Sequence, residues 1–308
     1  MAVLSPDQAP VFPANADDDG AYALWRAAKL AGRSSAAAAV PIQISDPQHL
    51  SRAERRAIAD QCGRRNFALY QTDKVLDGVT LVALSAQVGL RDIERPLLTE
   101  GNGVTELAVA NAPEDNRRAY IPYSDKPLAW HTDGYNNPTG QWVRGMVLHY
   151  LQPAPEGGAL SVRDPDLAYI RLRDANPAWV SALCDANALT IPANDLEKDC
   201  DGGTIRGAVS GPVFAEISGR LVMRYTHRQR HAIWRDTAET KAARAFLRDY
   251  LDSHEDLAFE GRLGVGQGII SNNVLHRRQG FDDAPQGRDA RRVLRARFRN
   301  YVADIADV

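Results

Sequence analysis

The chain has 308 residues, with 37 Lys and Arg set against 39 Asp and Glu, and 44% hydrophobic residues. So balanced a charge gives no global field to draw nucleic acid or a membrane surface, and the length is enough to bury a sizeable core. No apolar run approaches the ~20 residues that span a bilayer, and the first residues lack the basic-then-apolar plan of a secretory signal. Cys62, Cys184 and Cys200 have neither the even count nor the spacing of a disulfide framework or zinc site. The expected location is cytoplasmic, with no nucleic acid or membrane partner.

Residues 1–20, rich in Pro, Ala and Asp, read as an arm over the surface. A short helix over 21–31 and a linker over 34–40, with its Ala36 to Ala39 run, lead to a strand at Ile42 and Ile44. The expected division is an arm and linker over 1–40 and a single domain over 41–308. Ser51 and Glu54 form a capping box opening a helix over 52–62, which Gly63 ends. Residues 67–70 read as a strand, and Leu81, Leu84 and Val88 have the spacing of a helix over 78–89. A strand over 104–110 precedes an irregular stretch, 111–127. With Tyr120, Tyr123, Pro113, Pro122 and Pro127, that stretch has the character of a lip to a site.

Strands over 143–151 and 159–162, joined by the turn from Pro153 to Gly158, are expected to form a hairpin. Residues 164–185 read as a helix broken at Pro177. A second hairpin turns about Ser218, Gly219 and Arg220. Asp236 and Glu239 form another capping box, opening a helix to about 252, and 268–274 and 291–301 are the last strands. Many short strands, with helices on the N-terminal side and in insertions, predict an α+β sheet sandwich or jelly roll in preference to βαβ units.

The stretch that carries chemistry is 127–137, where His131 and Asp133 lie two residues apart. In an extended segment that spacing puts both side chains on one face. Together they supply two thirds of a 2-His-1-carboxylate triad, which holds non-haem Fe(II) with positions left open. A β-rich run, 269–276, ends in His276 and offers a third ligand. In the strand after it, Arg291, Arg295 and Arg297 share one face with Val293, while Leu294, Ala296 and Phe298 share the other. Guanidinium groups converging from one strand suit a dicarboxylate, because the planar fork binds a carboxylate bidentately.

These pieces resemble the taurine dioxygenase/TfdA-like family of Fe(II)- and 2-oxoglutarate-dependent oxygenases. The resemblance rests on Trp130-His131-Thr132-Asp133-Gly134, on Asn273-Val274-Leu275-His276 with Phe281 beyond, and on Arg291-x3-Arg295. The strand 221–225 is similar to one in the glutarate-hydroxylase branch. The resemblance implies a double-stranded β-helix (jelly roll) core with flanking helices, and Fe(II) held by His131, Asp133 and His276. It implies 2-oxoglutarate as cosubstrate and O2 as oxidant. The expected outcome is hydroxylation, or oxidative cleavage, of a small anionic metabolite with release of succinate and CO2. An aspartate at 133 also separates hydroxylases from related halogenases.

By the Arg-x3-Arg spacing Arg291 matches the 2-oxoglutarate arginine and Arg295 one for the prime substrate. The glutarate-hydroxylase pattern moves these roles to Arg295 and Arg297. Many relatives place a threonine just after the Gly-Gly turn to help hold 2-oxoglutarate; here that place falls on Leu160, and Ser161 is the candidate substitute.

Other features have blander readings. His227 and His231 are spaced for a metal on a helix, yet Arg228, Arg230 and Arg235 around them favour a solvated basic face. His149 reads as a hydrogen-bonded core or pocket histidine, and His49 and His254 as surface residues. The Gly264 to Gly268 stretch reads as a turn, since a strand follows it where a dinucleotide loop needs a helix. Arg224 either reaches the site or pairs with an acid. The rival functions are a cupin-type metalloenzyme that does not use 2-oxoglutarate and a non-catalytic metabolite-binding protein. Either a monomer or a homo-oligomer is compatible with the sequence.

Overall fold

The structure is a computed structural model. It describes residues 12, 18–32, 40–95, 101–110, 117, 120–193, 206–228, 232–284, 289–304 and 307. The alanine run at 36–39, Pro113, Cys200, Arg230 and His231 lie outside these residues.

Helices and sheets are segregated in an α+β arrangement. Ten strands form two sheets: β1 (Ile42–Ile44), β2 (Phe67–Thr72), β3 (Val104–Leu107), β4 (Leu128–His131), β5 (Gly145–Gln152), β6 (Leu160–Arg163), β7 (Leu257–Gly261), β8 (Gln267–Ser271), β9 (Leu275–Arg278) and β10 (Arg292–Phe298). The six-stranded sheet runs β1-β2-β8-β5-β10-β3 and the four-stranded sheet β7-β6-β9-β4. All these pairings are antiparallel except β1 with β2.

One apolar cluster lies between the sheets. It joins Met146, Leu148 and Tyr150 of β5, Ile269 of β8 and Val293 of β10 to Leu160 and Val162 of β6. The outer face of the larger sheet carries Val147, Ile270, Leu294, Ala296 and Phe298. Two helices cover it, α2 (Arg52–Arg65) and α3 (Gly78–Gln87), which contribute Ile58, Cys62, Leu81 and Leu84 to the same cluster. The period-two split of the last strand is thus realised: its apolar side meets helices, and Val293, Arg295 and Arg297 face inward.

The third cluster lies beyond the smaller sheet. It gathers α1 (Asp19–Gly32), α4 (Pro165–Ala175), α5 (Pro177–Leu183), α6 (Ala238–Asp252) and the hairpin Phe214–Ile217 with Arg220–Met223. Within the span expected to be an arm, Phe12, Tyr22 and Trp25 are buried, and Phe12 and Trp25 meet Tyr169 edge-on. Aromatic burial of this size holds a helix in place, so this part of the N-terminal span is packed.

Several local expectations change. The helix α2 runs through Gly63 to Arg65 and ends at Asn66 in the left-handed region (φ 64°). Asn tolerates that conformation, and its side-chain amide also donates to Asp164 and Asp166. The cap of α6 is Thr237, whose hydroxyl accepts from Thr240 N–H, while Asp236 pairs with Lys241.

The expected hairpin of β5 and β6 does not form, because the two strands lie in different sheets. Gly157 (φ 71°) carries the chain across, where an added Cβ would sit 2.5 Å from the Gly280 carbonyl oxygen. The run 268–276 likewise splits into β8 and β9 in opposite sheets, broken at Asn273 (φ 53°). Alternation alone cannot reveal such a change of sheet, since the residues stay β-rich on both sides.

Candidate active site

β4 and β9 are neighbours in the smaller sheet, and their register sets His131 directly opposite His276. Cross-strand partners project to the same side, and the two imidazoles stand 4.2 Å apart between centroids. β4 ends at His131; the chain then turns at Asp133 and Gly134. Gly134 has φ 66°, and a Cβ there would lie 2.5 Å from the Val143 side chain, so the close approach of that segment favours glycine.

His131, Asp133 and His276 are all buried, and one ligand atom from each lies within 4.8 Å of the others. His131 Nδ1 donates to the Ala129 carbonyl at 2.8 Å and His276 Nδ1 to the Val274 carbonyl at 3.0 Å. A carbonyl can only accept, so each Nδ1 carries the proton and each Nε2 presents a lone pair. His131 Nε2 lies 3.8 Å from Asp133 Oδ1.

Burial, with the neighbouring His276, pushes the His131 imidazole down to about 3, and burial lowers His276 as well. Burial alone would raise Asp133, but Arg295 and Arg297 hold it well below the usual carboxylate range. All three groups are therefore in the deprotonated form that a metal needs. Asp133 Oδ2 is buried with no hydrogen-bond partner among the described residues. An unanswered anionic oxygen beside two imidazole lone pairs fits a divalent cation, and the donor set is that of non-haem Fe(II).

The turn at Asp133 is held by Asn273, which opens the Asn273–His276 motif but has no role assigned to it from the sequence. Asn273 Oδ1 accepts from Asp133 N–H at 2.8 Å. Its Nδ2 donates to the Asp133 carbonyl at 3.0 Å and to the Val143 carbonyl at 2.7 Å. The signal was present as an asparagine three residues before His276, where left-handed backbone and a short amide coincide. Thr132 completes the frame: its N–H donates to the Tyr225 carbonyl and its hydroxyl accepts from Tyr225 N–H.

The arginines of the last strand separate by partner. Arg295 Nη1 lies 3.3 Å from Asp133 Oδ1. Arg297 Nε pairs with Glu94 at 2.6 Å, and Glu94 in turn accepts from Asn137 at 2.5 Å. Arg291 has no ion-pair partner among the described residues and lies against the Tyr150 and Phe281 rings.

Ser161 is not among these groups. It faces away from the triad on the opposite side of β6, where it donates to Glu260 at 2.7 Å and accepts from Arg277. Strand alternation gives the inward place to Leu160 and Val162, so the expectation that Ser161 contacts the cosubstrate is corrected.

Arg224 does not join the triad and meets no acid among the described residues. Its buried guanidinium donates to the carbonyls of Pro212, Tyr135, Leu189 and Gly211. His149 is buried, accepting Leu76 N–H at Nε2 and bonding the Tyr70 hydroxyl at Nδ1. His227 bonds the Tyr225 hydroxyl and lies on no helix.

The family model "Taurine catabolism dioxygenase TauD, TfdA family" matches residues 27–296. The chain belongs to that family. It is therefore a non-haem iron dioxygenase of the 2-oxoglutarate-dependent kind.

Among solved structures, an asparagine oxygenase in complex with Fe(II), 2S,3S-3-hydroxyasparagine and succinate is 15% identical. The match covers 91% of this chain and 84% of that one, with a TM-score of 0.56. The oxygenase OrfP in complex with Fe, succinate and (3R,4R)-dihydroxy-L-Arg is 15% identical over 80% and 79%, with a TM-score of 0.56. A taurine dioxygenase from Burkholderia xenovorans is 16% identical over 84% and 86%, with a TM-score of 0.54. These likenesses establish a shared fold. No curated protein matches the chain by sequence. Among the described residues no helix is long and apolar enough to cross a membrane.

Proposed function

We propose that this chain hydroxylates, or oxidatively cleaves after hydroxylation, a small anionic metabolite within a double-stranded β-helix core. That core acts as one domain over 41–308, with 1–40 as an N-terminal arm, in the cytoplasm. His131, Asp133 and His276 hold Fe(II). The observation that carries this reading is the buried, unpartnered Asp133 Oδ2 beside two histidines whose Nδ1 protons are already committed to carbonyls. When bound, Fe(II) with 2-oxoglutarate couples O2 reduction to decarboxylation and to oxidation of a substrate C–H bond.

The protein's own groups divide the remaining work. Arg291 takes the far carboxylate of 2-oxoglutarate, because Asp133 and Glu94 already engage Arg295 and Arg297. Arg295, whose Nε is buried without a partner, faces the prime substrate. Arg291, Arg295 and Arg297 against Asp133 and Glu94 leave this wall with a positive excess, which favours an anionic substrate. Asn273 holds the Asp133 backbone so that its carboxylate is aimed before any metal arrives.

Anaerobic addition of Fe(II) and then 2-oxoglutarate should give the weak visible charge-transfer band of the chelate, and admitting O2 should yield succinate. Metal-loaded protein that shows no band would sink this reading. Asp133→Ala should lose the band and succinate formation together while keeping its fold by circular dichroism; retained turnover would mean that the ligands are misassigned.

A further inference from the structure

The wall beside His276 carries two buried guanidinium groups, Arg278 and Arg291, that form no ion pair among the described residues. Arg278 lies two residues beyond His276 on β9, about 6.6 Å along the strand and on the same face. Arg277 between them turns to the other side, towards Ser161 and Glu260. Arg278 is the cross-strand partner of Leu160, which faces the interior between the sheets.

Arg278 and Arg291 are each about 5% exposed. Their Cζ atoms stand 4.7 and 5.2 Å from the centroid of the same Phe281 ring. Arg278 Nη2 donates to the Ser124 carbonyl at 2.7 Å and to the Lys126 carbonyl, which fixes the plane of the fork. The Nε of both arginines is buried without a partner, and neither has an ion pair among the described residues. Burial and the charge of Arg291 push Arg278 down to about 10. Two like charges resting on one ring out of water are costly unless an anion joins them. A carboxylate between the forks would satisfy both.

We propose that Arg278 and Arg291 together clamp the distal carboxylate of 2-oxoglutarate. Arg278 supplies its contact from directly across Leu160, on the wall that Ser161 does not face. The inference rests on the iron and 2-oxoglutarate reading above and deepens it. Arg278 is in this sense a binding residue for the cosubstrate, and its two carbonyl bonds orient it for that contact.

The test compares two ligands on Fe(II)-loaded, full-length protein without O2: 2-oxoglutarate, and 2-oxopentanoate, which has the same carbon chain but no distal carboxylate. Affinities are read from the chelate band. Arg278→Met is expected to weaken 2-oxoglutarate by about 10- to 100-fold and to leave 2-oxopentanoate within about twofold. Adding Leu160→Thr to that variant, which puts a hydroxyl on the same face opposite residue 278, should recover part of the loss.

Unchanged 2-oxoglutarate affinity in Arg278→Met, or equal weakening of both ligands, would overturn the clamp. If Arg278→Met does not fold, Arg278→Lys keeps the charge and stem; about a tenfold loss confined to 2-oxoglutarate supports the clamp, and equal losses overturn it. Wild-type protein that holds Fe(II) and binds the two ligands equally well would overturn the clamp alone. If it holds Fe(II) and binds neither, the parent reading fails with it.

Discussion

Asn273 concentrates in one side chain what the site demands of its surroundings. It occupies a left-handed backbone position, closes the turn between two strands of different sheets, and satisfies both backbone polar groups of Asp133. Asn273→Ala removes all of these bonds and leaves buried groups unpaired. Metal affinity should fall by about 10- to 100-fold, measured by Co(II) or Fe(II) titration. An unchanged affinity would show that the turn is held by other contacts.

His149 allows a separate test at the residue scale, away from the metal. Burial pushes its imidazole down to about 4, whereas the unfolded chain protonates it near 6.5. Between these values the unfolded state binds more protons, so the stability contribution is full above about 6.5 and is lost as the pH falls through 4. The loss is on the order of 3 kcal/mol. Denaturant unfolding of wild type and His149→Gln from pH 7 to 4 should show this slope only in the wild type. Taking the difference cancels the opposite contribution of Asp164, whose buried carboxyl is raised to about 6.

At the scale of elements, the site depends on where the chain changes sheets. The crossing at Gly157 carries β5 of one sheet into β6 of the other, and the strand pair 156–157 with 281–282 pins it. Gly157→Ala meets both a positive φ and the Gly280 carbonyl, and should destabilise the protein by more than about 1 kcal/mol. It should also disturb Phe281, against which both guanidiniums rest. Urea unfolding checks the first effect, and a variant as stable as wild type would show that the crossing relaxes freely. The second crossing, at Asn272 and Asn273, delivers His276 to the inner face opposite His131. Two arginines outside the triad fix the segments around it: Arg163 of β6 donates to the Leu251, Ser253 and Glu255 carbonyls at the end of α6, and Arg224 gathers the carbonyls of Tyr135, Leu189, Gly211 and Pro212. Cations at a helix C-terminus are favourably placed against its dipole.

For the whole molecule, the proposed metal triad would draw one ligand pair from around the end of β4 and the other ligand from β9, so metal binding should stabilise the assembled sheet and not an isolated segment. A divalent ion at about 100 times its Kd adds about 2.7 kcal/mol. The melting temperature should therefore rise by several degrees on metal addition and return on chelation, with no shift in Asp133→Ala. Calorimetry with and without chelator decides this; an equal rise in both proteins would place the stabilising metal elsewhere.

Much of this was legible in the sequence because some physical signals are local. The capping box at Ser51 and Glu54, the break at Pro177, the hairpin at Ser218 and Gly219, and the two-faced last strand follow from backbone preferences and alternation. His131 and Asp133 were visible as a pair, with His276 at the end of a β-rich run. The tertiary structure alone decided which strands share a sheet, because hairpin and crossing have the same local composition. It therefore decided that Ser161 looks away, that Asn273 holds Asp133, and that Arg224 serves carbonyls. It also decided that Arg278 stands beside Arg291. Alternation fixes that neighbouring residues take opposite faces; only the packing of one sheet on the other determines which face encloses the chemistry.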